Sequence, residues 1–473
     1  MPDLNRATTG KPAPPVRIVH LGLGAFHRAH QAWYTHTANQ AAAAAPWGIA
    51  AFTGRRPRAG ELLRAQGGLY TLITRSATGD SAEIIDSIAE AHDGSHTRRW
   101  NDLLAHPDTA LVTLTITEAG YRYKQEIGLN YADATVAADI TVLRHGHADA
   151  PVASAPGRLV QGLRARRAAG SGDIAILSCD NLSRNGEVTR TVVLQMASAV
   201  DRELAAWIDG HVSFVSSMVD RITPAGAAGD EQTAVRLTGY TDHAPVVTEP
   251  FTEWIIAGDF PAGRPEWERA GARFVDDIEP YEQRKLWLLN AGHSLLAYTG
   301  LLRGHTTIAQ AVEDDICRDL LEKLWEEAAE VLPFSPGEIA AATAALRERF
   351  ANPAIRHLLL QVARDGSQKI PLRCIPVIER RLDSGRDAGT GQTALLAAWL
   401  LHLKSSPAHI NDPSAANLIA SLGPDVHTDA LRMLREVAPG IKEPSVLAAA
   451  IVEQATRLAG ADSQYAPLLK GTL

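Results

Sequence analysis

Glu282, Lys285, Leu289 and His293 recur at spacings of three and four within the segment YEQRKLWLLNAGH. On an α-helix of about 3.6 residues per turn all four share one face, with Asn290 toward its edge. The stretch is mostly apolar. A lysine ammonium is costly to hold in such surroundings, so desolvation is expected to lower its pKa and make the amine a usable base. One proton worth removing is that of a secondary alcohol, which releases hydride only once its hydroxyl is deprotonated. Two amides offer hydrogen bonds to the alkoxide that then develops: Asn290 on the same helix, and Asn181 in SCDNL at the end of an apolar run. Lys285 and His293 stand about 12 Å apart along a helix axis, so an extended, acyclic substrate has room beside both. The same pattern also reads as a surface lysine laying its stem along apolar neighbours, and a satisfied core histidine. Spacing alone leaves both readings open.

Such side chains need a framework to hold them, and the N-terminal half carries one. VRIVHLGLG reads as a short buried strand running into a glycine turn, and AFHRAHQAWYTHTANQAAAAA as the helix that follows. Gly22 and Gly24 stand where a dinucleotide-binding fold places its phosphate-binding glycines, because glycine lets the backbone approach a pyrophosphate at a helix N-terminus. The third glycine of the GxGxxG pattern is absent, and His27 takes its position. At the end of the second strand, WGIAAFTG, an acidic residue would hold the adenosine ribose of NAD, whereas arginines favour the extra phosphate of NADP. TGRRPR stands there, so Arg55, Arg56 and Arg58 either meet a phosphate or form a solvated basic loop. NAD is the expected cofactor, with NADP left open.

Further β-like runs occur at LYTLITR, ALVTLTITEAGY, DIAILSCDNL and HVSFVSSMVDRITPA. Strands alternating with helical stretches predict an α/β fold with a parallel, doubly wound sheet. After about residue 275 strand signals nearly vanish, and long helices are expected over PYEQRKLWLLNAGHSLLAYTGLL, TIAQAVEDDICRDLLEKLWEEAAEVL and DALRMLREVA. The organisation read from this is a loose tail over 1–15, a dinucleotide-binding domain over 16–275 and a mostly helical substrate domain over 276–473. Two domains also suit 473 residues, since a single core stops growing near roughly 250–300. A composition of 45% hydrophobic and 21% charged residues, with a net charge of −8, is globular. It gives no general reason to bind nucleic acid or an anionic membrane. Three scattered cysteines, Cys179, Cys317 and Cys374, suit neither a disulfide framework nor paired zinc thiolates, which makes a reducing, cytoplasmic setting the default. The first fifteen residues lack the apolar core of a secretory signal, and no apolar run approaches a membrane span. His27, His30 and His36 cluster on the first helix, but Gln31 and Tyr34 occupy the positions four after the first two. The histidine pair and glutamate of a zinc-binding helix are missing, so no metal is expected.

The ordered set GLGAFHRAHQA, TLTITEAGY, SCDNL, MVDRITPA, K-x4-N-x2-H and DGSQKIP, spanning about residues 17–370, resembles the polyol-specific long-chain dehydrogenases, the mannitol dehydrogenase family. The resemblance implies a Rossmann-type N-terminal domain, a helical C-terminal domain and metal-free chemistry that interconverts a secondary alcohol and a ketone on a linear sugar acid or sugar alcohol. It implies that Lys285 is the base, that Asn181 and Asn290 stabilise the alkoxide, that His293 contacts substrate and that Glu282 connects the lysine to solvent. Asp220 of MVDRITP and Lys369 of DGSQK fall at further active-site positions, although Asp220 also reads as a strand-end residue paired with Arg221. Phe26, Thr117 and Glu118, in the matched segments, join Gly22, Gly24 and Arg55 as expected cofactor contacts. Within the family, the opening RIVHLGLGAFHRAHQAWYTH and DGSQKIP look most like fructuronate reductases, which points to D-mannonate and D-fructuronate. Lys369 and Arg373 are the cations that would meet the carboxylate. Members oxidising mannitol tend to carry an arginine eight residues before the DGSxK lysine, where Gln361 stands here; mannitol 2-dehydrogenase remains the alternative. A monomer or small homo-oligomer is expected. A nucleotide sensor that kept the fold and lost the chemistry is the rival of another class, and intact Lys285, Asn290 and His293 oppose it.

Overall fold

Eight segments of the N-terminal half pair into one sheet: β1 (Val16–Leu21), β2 (Gly48–Phe52), β3 (Ile88–His92), β4 (Leu111–Leu114), β5 (Ile174–Ser178), β6 (Val212–Asp220), β7 (Glu253–Ala257) and β8 (Arg273–Phe274). Their spatial order is β8, β7, β6, β5, β4, β1, β2, β3. The first six strands pair in parallel, and β7 adds antiparallel to β6. The order 3-2-1-4-5-6 of those six is that of the doubly wound dinucleotide-binding fold. Burial runs without interruption along β2, β4 and β5 because both faces are covered. Ile18, Ala175 and Leu177 enter one core, while Val19, Leu21, Ile174 and Ile176 enter the other.

In this computed structural model residues 1–41, 45–54, 56–405 and 410–460 are described, and the chain divides into two units, Met1–Glu279 and Pro280–Leu473. Three features of the first unit depart from the sequence reading. LYTLITR does form a strand, Tyr70–Ser76, but in a separate three-stranded sheet between Gly79–Ile85 and Val246–Thr248. The helix expected from Ala25 onward breaks at His30, whose φ of −120° and ψ of −90° end Ala25–Ala29 before Gln31–Ala41 begins. The break suits the buried His30 ring, which packs on Trp254 and Tyr34 and bonds to the Glu253 carbonyl at 3.1 Å; Ala42 to Ala44 lie outside the described residues.

The third departure is the N-terminal arm, which is packed rather than loose. Leu4 is fully buried, Asp3 bridges to Thr241, and Asn5 caps the short helix Arg6–Thr9. The Arg6 guanidinium donates to the carbonyls of Gly67 (2.6 Å), Pro12 (2.6 Å), Ile88 (2.8 Å) and Asp86 (3.0 Å). Lys11 pairs with Asp86 at 2.8 Å, and His36 reaches the other oxygen of that carboxylate at 2.6 Å. Composition gave no sign of this because every partner except Pro12 lies far along the chain.

The described residues of the second unit form helices around a core running from Trp287 to Ala455. Ala291–Leu302 is buried on all sides from Ala291 to Gly300, and Thr390–Ser405, buried from Gly391 to Leu403, packs against it. A helix apolar all round belongs in the middle of a core. The stretch read as one helix over 307–332 is two, because the Asp314 carboxylate accepts from Ile316 N at 3.0 Å and Cys317 N at 3.2 Å and starts a new helix, Asp315–Ala329.

Candidate active site

Within the first unit, the carboxyl ends of β1, β2, β3 and β4 border a groove of about 1290 Å³. This is the point where the strand order reverses, the usual place for a ligand in an open α/β sheet. Gly22 follows β1 with φ of 114°, and a Cβ there would stand 2.0 Å from the carbonyl oxygen of Thr115, just past β4. Only glycine fits. Gly24 precedes the helix Ala25–Ala29 in extended conformation, and a Cβ there would meet Gly22 O at 3.6 Å, an ordinary contact. The two glycines of the motif are therefore not equivalent. His27, standing where a third glycine is missing, lies flat on His20 of β1 with ring centroids 3.4 Å apart. Burial holds His20 down to about 3 and His27 well below the usual imidazole value, so both rings are neutral packing elements. His36, the third histidine of the cluster, faces Asp86 and Glu83. Among the described residues no three His, Cys, Asp or Glu side chains form a metal-binding group.

Gly22, Thr117, Arg56 and Arg58 line the groove, and the two arginines are exposed. Arg55 lies outside the described residues. Phe26 and Glu118 are not among the lining residues: the Phe26 ring stacks on His30, centroids 5.1 Å apart, and Glu118 begins a 3-10 turn ending at Tyr121. The sequence reading missed Asp93, which follows β3 and lines the groove with Arg28, Arg122 and Arg158. A bond from Ser95 N at 2.6 Å holds the Asp93 carboxyl below its ordinary range. Recognition of IAEAH as the third strand would have pointed to it. Its Glu90 and His92 disguise an edge strand, and they bond to each other at 2.8 Å.

The next two strand ends carry Asn181 and Asp220. Asn181 is exposed on the loop after β5, and Asp220 is the buried last residue of β6. The neighbouring Arg221 donates to the Ala29 carbonyl at 2.5 Å and lies 4.7 Å over the Trp33 ring.

In the second unit the segment that carries Lys285 is not a uniform α-helix. Between Glu279–Arg284 and Ala291–Leu302, residues Lys285–Asn290 form a π turn, and Ala291 N reaches back five residues to Leu286 O. Such turns, with backbone bonds spanning five residues, are rare and gather at functional sites. The expected four-residue face is recut accordingly. Leu289 points into the core, whereas Lys285 and Asn290 are both half-buried. Trp325 explains the local geometry, since its indole N–H takes the Leu288 carbonyl at 2.9 Å inside the protein. Glu282 is buried one turn before the lysine.

His293 is buried, with its ring 4.6 Å from Phe350 and 4.7 Å from His357, and its Nε2 makes no hydrogen bond to a described residue. Burial, followed by the nearby His357, Arg349, Arg373 and Lys369, holds it well below the ordinary imidazole value. Arg349 and His357 were not foreseen from the sequence. Arg373 donates to Asn290 O at 3.1 Å and Ser294 Oγ at 2.9 Å, so it braces the end of the π turn. Lys369 donates to the carbonyls of Val362 at 3.2 Å and Arg364 at 2.5 Å. Burial, then the Arg373 charge, pushes its ammonium down from the usual lysine value.

Residues 16–269 match the family profile of the mannitol dehydrogenase Rossmann domain, and residues 277–458 that of the mannitol dehydrogenase C-terminal domain. The D-mannonate oxidoreductase of Escherichia coli (strain K12) is 40% identical over 379 residues, 78% of this chain and 76% of its own. The Pseudomonas fluorescens mannitol 2-dehydrogenase, solved as a ternary complex with NAD and D-mannitol, is 31% identical, with a TM-score of 0.79 over 99% of each chain. A D-sorbitol dehydrogenase solved in substrate-free form is 26% identical, with a TM-score of 0.86 over 99% of this chain and 100% of that one.

Proposed function

We propose, from the premise that this chain belongs to the mannitol dehydrogenase family, that it interconverts D-mannonate and D-fructuronate with NAD. As a member it is an oxidoreductase acting on the CH–OH groups of polyols or related sugar acids. The choice of a sugar acid rests on the cations gathered near His293, Arg349, Arg373 and Lys369, with the His357 ring 4.7 Å away. A carboxylate is the natural partner for such a cluster. The 40% identity to a D-mannonate oxidoreductase supports the same choice. The alternative, D-mannitol and D-fructose, is supported by the likeness to the mannitol 2-dehydrogenase complex.

The groove in the first unit suits a dinucleotide, with Gly22 baring its backbone at the sheet's switch point. When bound, NAD supplies the hydride acceptor. Lys285 takes the hydroxyl proton from the carbinol, which requires its neutral amine. Asn290, at the far end of the π turn, donates a hydrogen bond to the oxygen left negative, a role that the SCDNL motif also gives Asn181. His293, neutral, orients a neighbouring hydroxyl, and Glu282 passes the lysine proton toward solvent.

Initial rates for D-fructuronate and D-fructose, each with NADH and with NADPH, test the reading. The expected ranking puts D-fructuronate with NADH first by at least about tenfold in kcat/KM; preference for fructose would overturn it. Lys285→Ala is expected to lower kcat by about 10²–10⁴, and unchanged turnover would remove the lysine from its role.

A further inference from the structure

A buried polar cluster underlies the loop that carries Asn181. Tyr121, 1% exposed, closes the turn after β4, and its hydroxyl donates to Asp180 Oδ2 in a very short contact. The other oxygen of Asp180 accepts from Leu182 N at 3.3 Å, so this carboxylate grips the loop on both sides of Asn181. The Asp180 carbonyl accepts from Asn185 Nδ2 at 3.3 Å. Asn185, with no exposure, also clasps β6: it donates to Ser217 O at 2.9 Å and accepts from Ser217 N at 3.0 Å. Ser217 Oγ in turn reaches back to Ser178 O at the end of β5 at 2.6 Å. The ends of β4, β5 and β6 are thus tied together around one loop.

Two costs are accepted to build it. Arg184, the last loop residue before the helix Asn185–Val200, holds a left-handed φ of 52°. A side chain in that region is strained and persists only where its surroundings fix it. Asp180 is nine-tenths buried, and burial raises its carboxyl to about 6, which is no way to gain stability. Costs of this kind gather where a neighbouring group must be held in place.

We infer that Tyr121, Asp180 and Asn185 form a positioning clamp that fixes the Asn181 amide for hydrogen bonding to the alkoxide. The inference rests on the alkoxide-stabilising role proposed above for Asn181. A double-mutant cycle separates the two. Asn181→Ala is expected to lower kcat by about 10²-fold, as loss of such a donor does, and Asp180→Asn by about tenfold. KM for NADH should stay within about twofold, which general damage to the unit would not allow. In the double variant Asp180→Asn should cost less than about threefold beyond Asn181→Ala, because the clamp acts only through that amide. Unchanged kcat in Asn181→Ala would overturn the role of the asparagine and the clamp with it, while leaving the Lys285 and substrate tests untouched. Full loss on Asn181→Ala but none on Asp180→Asn, or losses that multiply in the double variant, would overturn the clamp alone. Tyr121→Phe, which removes one hydroxyl, carries the same cycle should Asp180→Asn fail to fold.

Discussion

Gly22 and Gly24 look alike in the sequence and differ in the fold. Gly22 combines a positive φ with a carbonyl 2.0 Å from its missing Cβ, so Gly22→Ala should cost about 2–3 kcal/mol of stability through strain alone and weaken NADH binding. Gly24→Ala has neither obstacle and should stay within about 1 kcal/mol. Thermal melts and NADH titration of both variants check this; similar losses at the two positions would contradict it. The distinction was illegible because it depends on Thr115, a residue brought alongside by β4. The roles proposed for Lys285, Asn290 and His293 start from residue type and spacing, a pattern equally open to a surface lysine and a core histidine. The basic neighbours Arg349 and His357 were hidden because they reach His293 only through the folding of the helical unit.

At the scale of elements, apolar runs identified β1, β2, β4, β5 and β6 of the main sheet but missed β3 and β7, and they showed none of the irregularities. The π turn at Lys285–Asn290 has no local signature, and its Leu288 carbonyl is satisfied by Trp325, which sits on a different helix. The N-terminal arm was misread for the same reason. Its latch has a definite pH signature. Burial alone would raise the Asp86 carboxyl, but bonds from His36 and Lys11 outweigh it and bring it to about 2. That contribution is present above the unfolded value near about 4 and is lost as pH falls toward 2. Burial alone would lower His36, but Asp86 and Glu83 outweigh it and its pKa is raised. That contribution is full below about 6.5 and is lost as pH rises through the folded value. The stability lost on Asp86→Ala, about 1–3 kcal/mol, should therefore peak between about pH 4 and 6.5. Denaturant titrations of both proteins across pH measure it, and a difference that does not vary with pH would refute the latch.

For the whole molecule, the α/β class and the two-unit division follow from patterns the sequence displays openly: strands alternating with helices, then helices alone. Substrate choice does not, because a polyol and a sugar acid differ by one terminal group, and the side chains proposed to meet it are scattered along the helical unit. Charge is legible only as a total. The chain carries −8 overall, yet among the described residues its groove is lined by five arginines, Arg28, Arg56, Arg58, Arg122 and Arg158, against three carboxylates, Asp93, Asp230 and Glu231. A cationic furrow in an anionic body works on the approach of a ligand before any contact is made, by funnelling a diffusing dianion toward one opening and slowing collisions elsewhere. Stopped-flow mixing with NADH should therefore show an association rate that falls several-fold between about 20 and 200 mM salt while the dissociation rate barely moves. In that case, how quickly this protein captures its coenzyme is set as much by the ionic strength around it as by the shape of the groove.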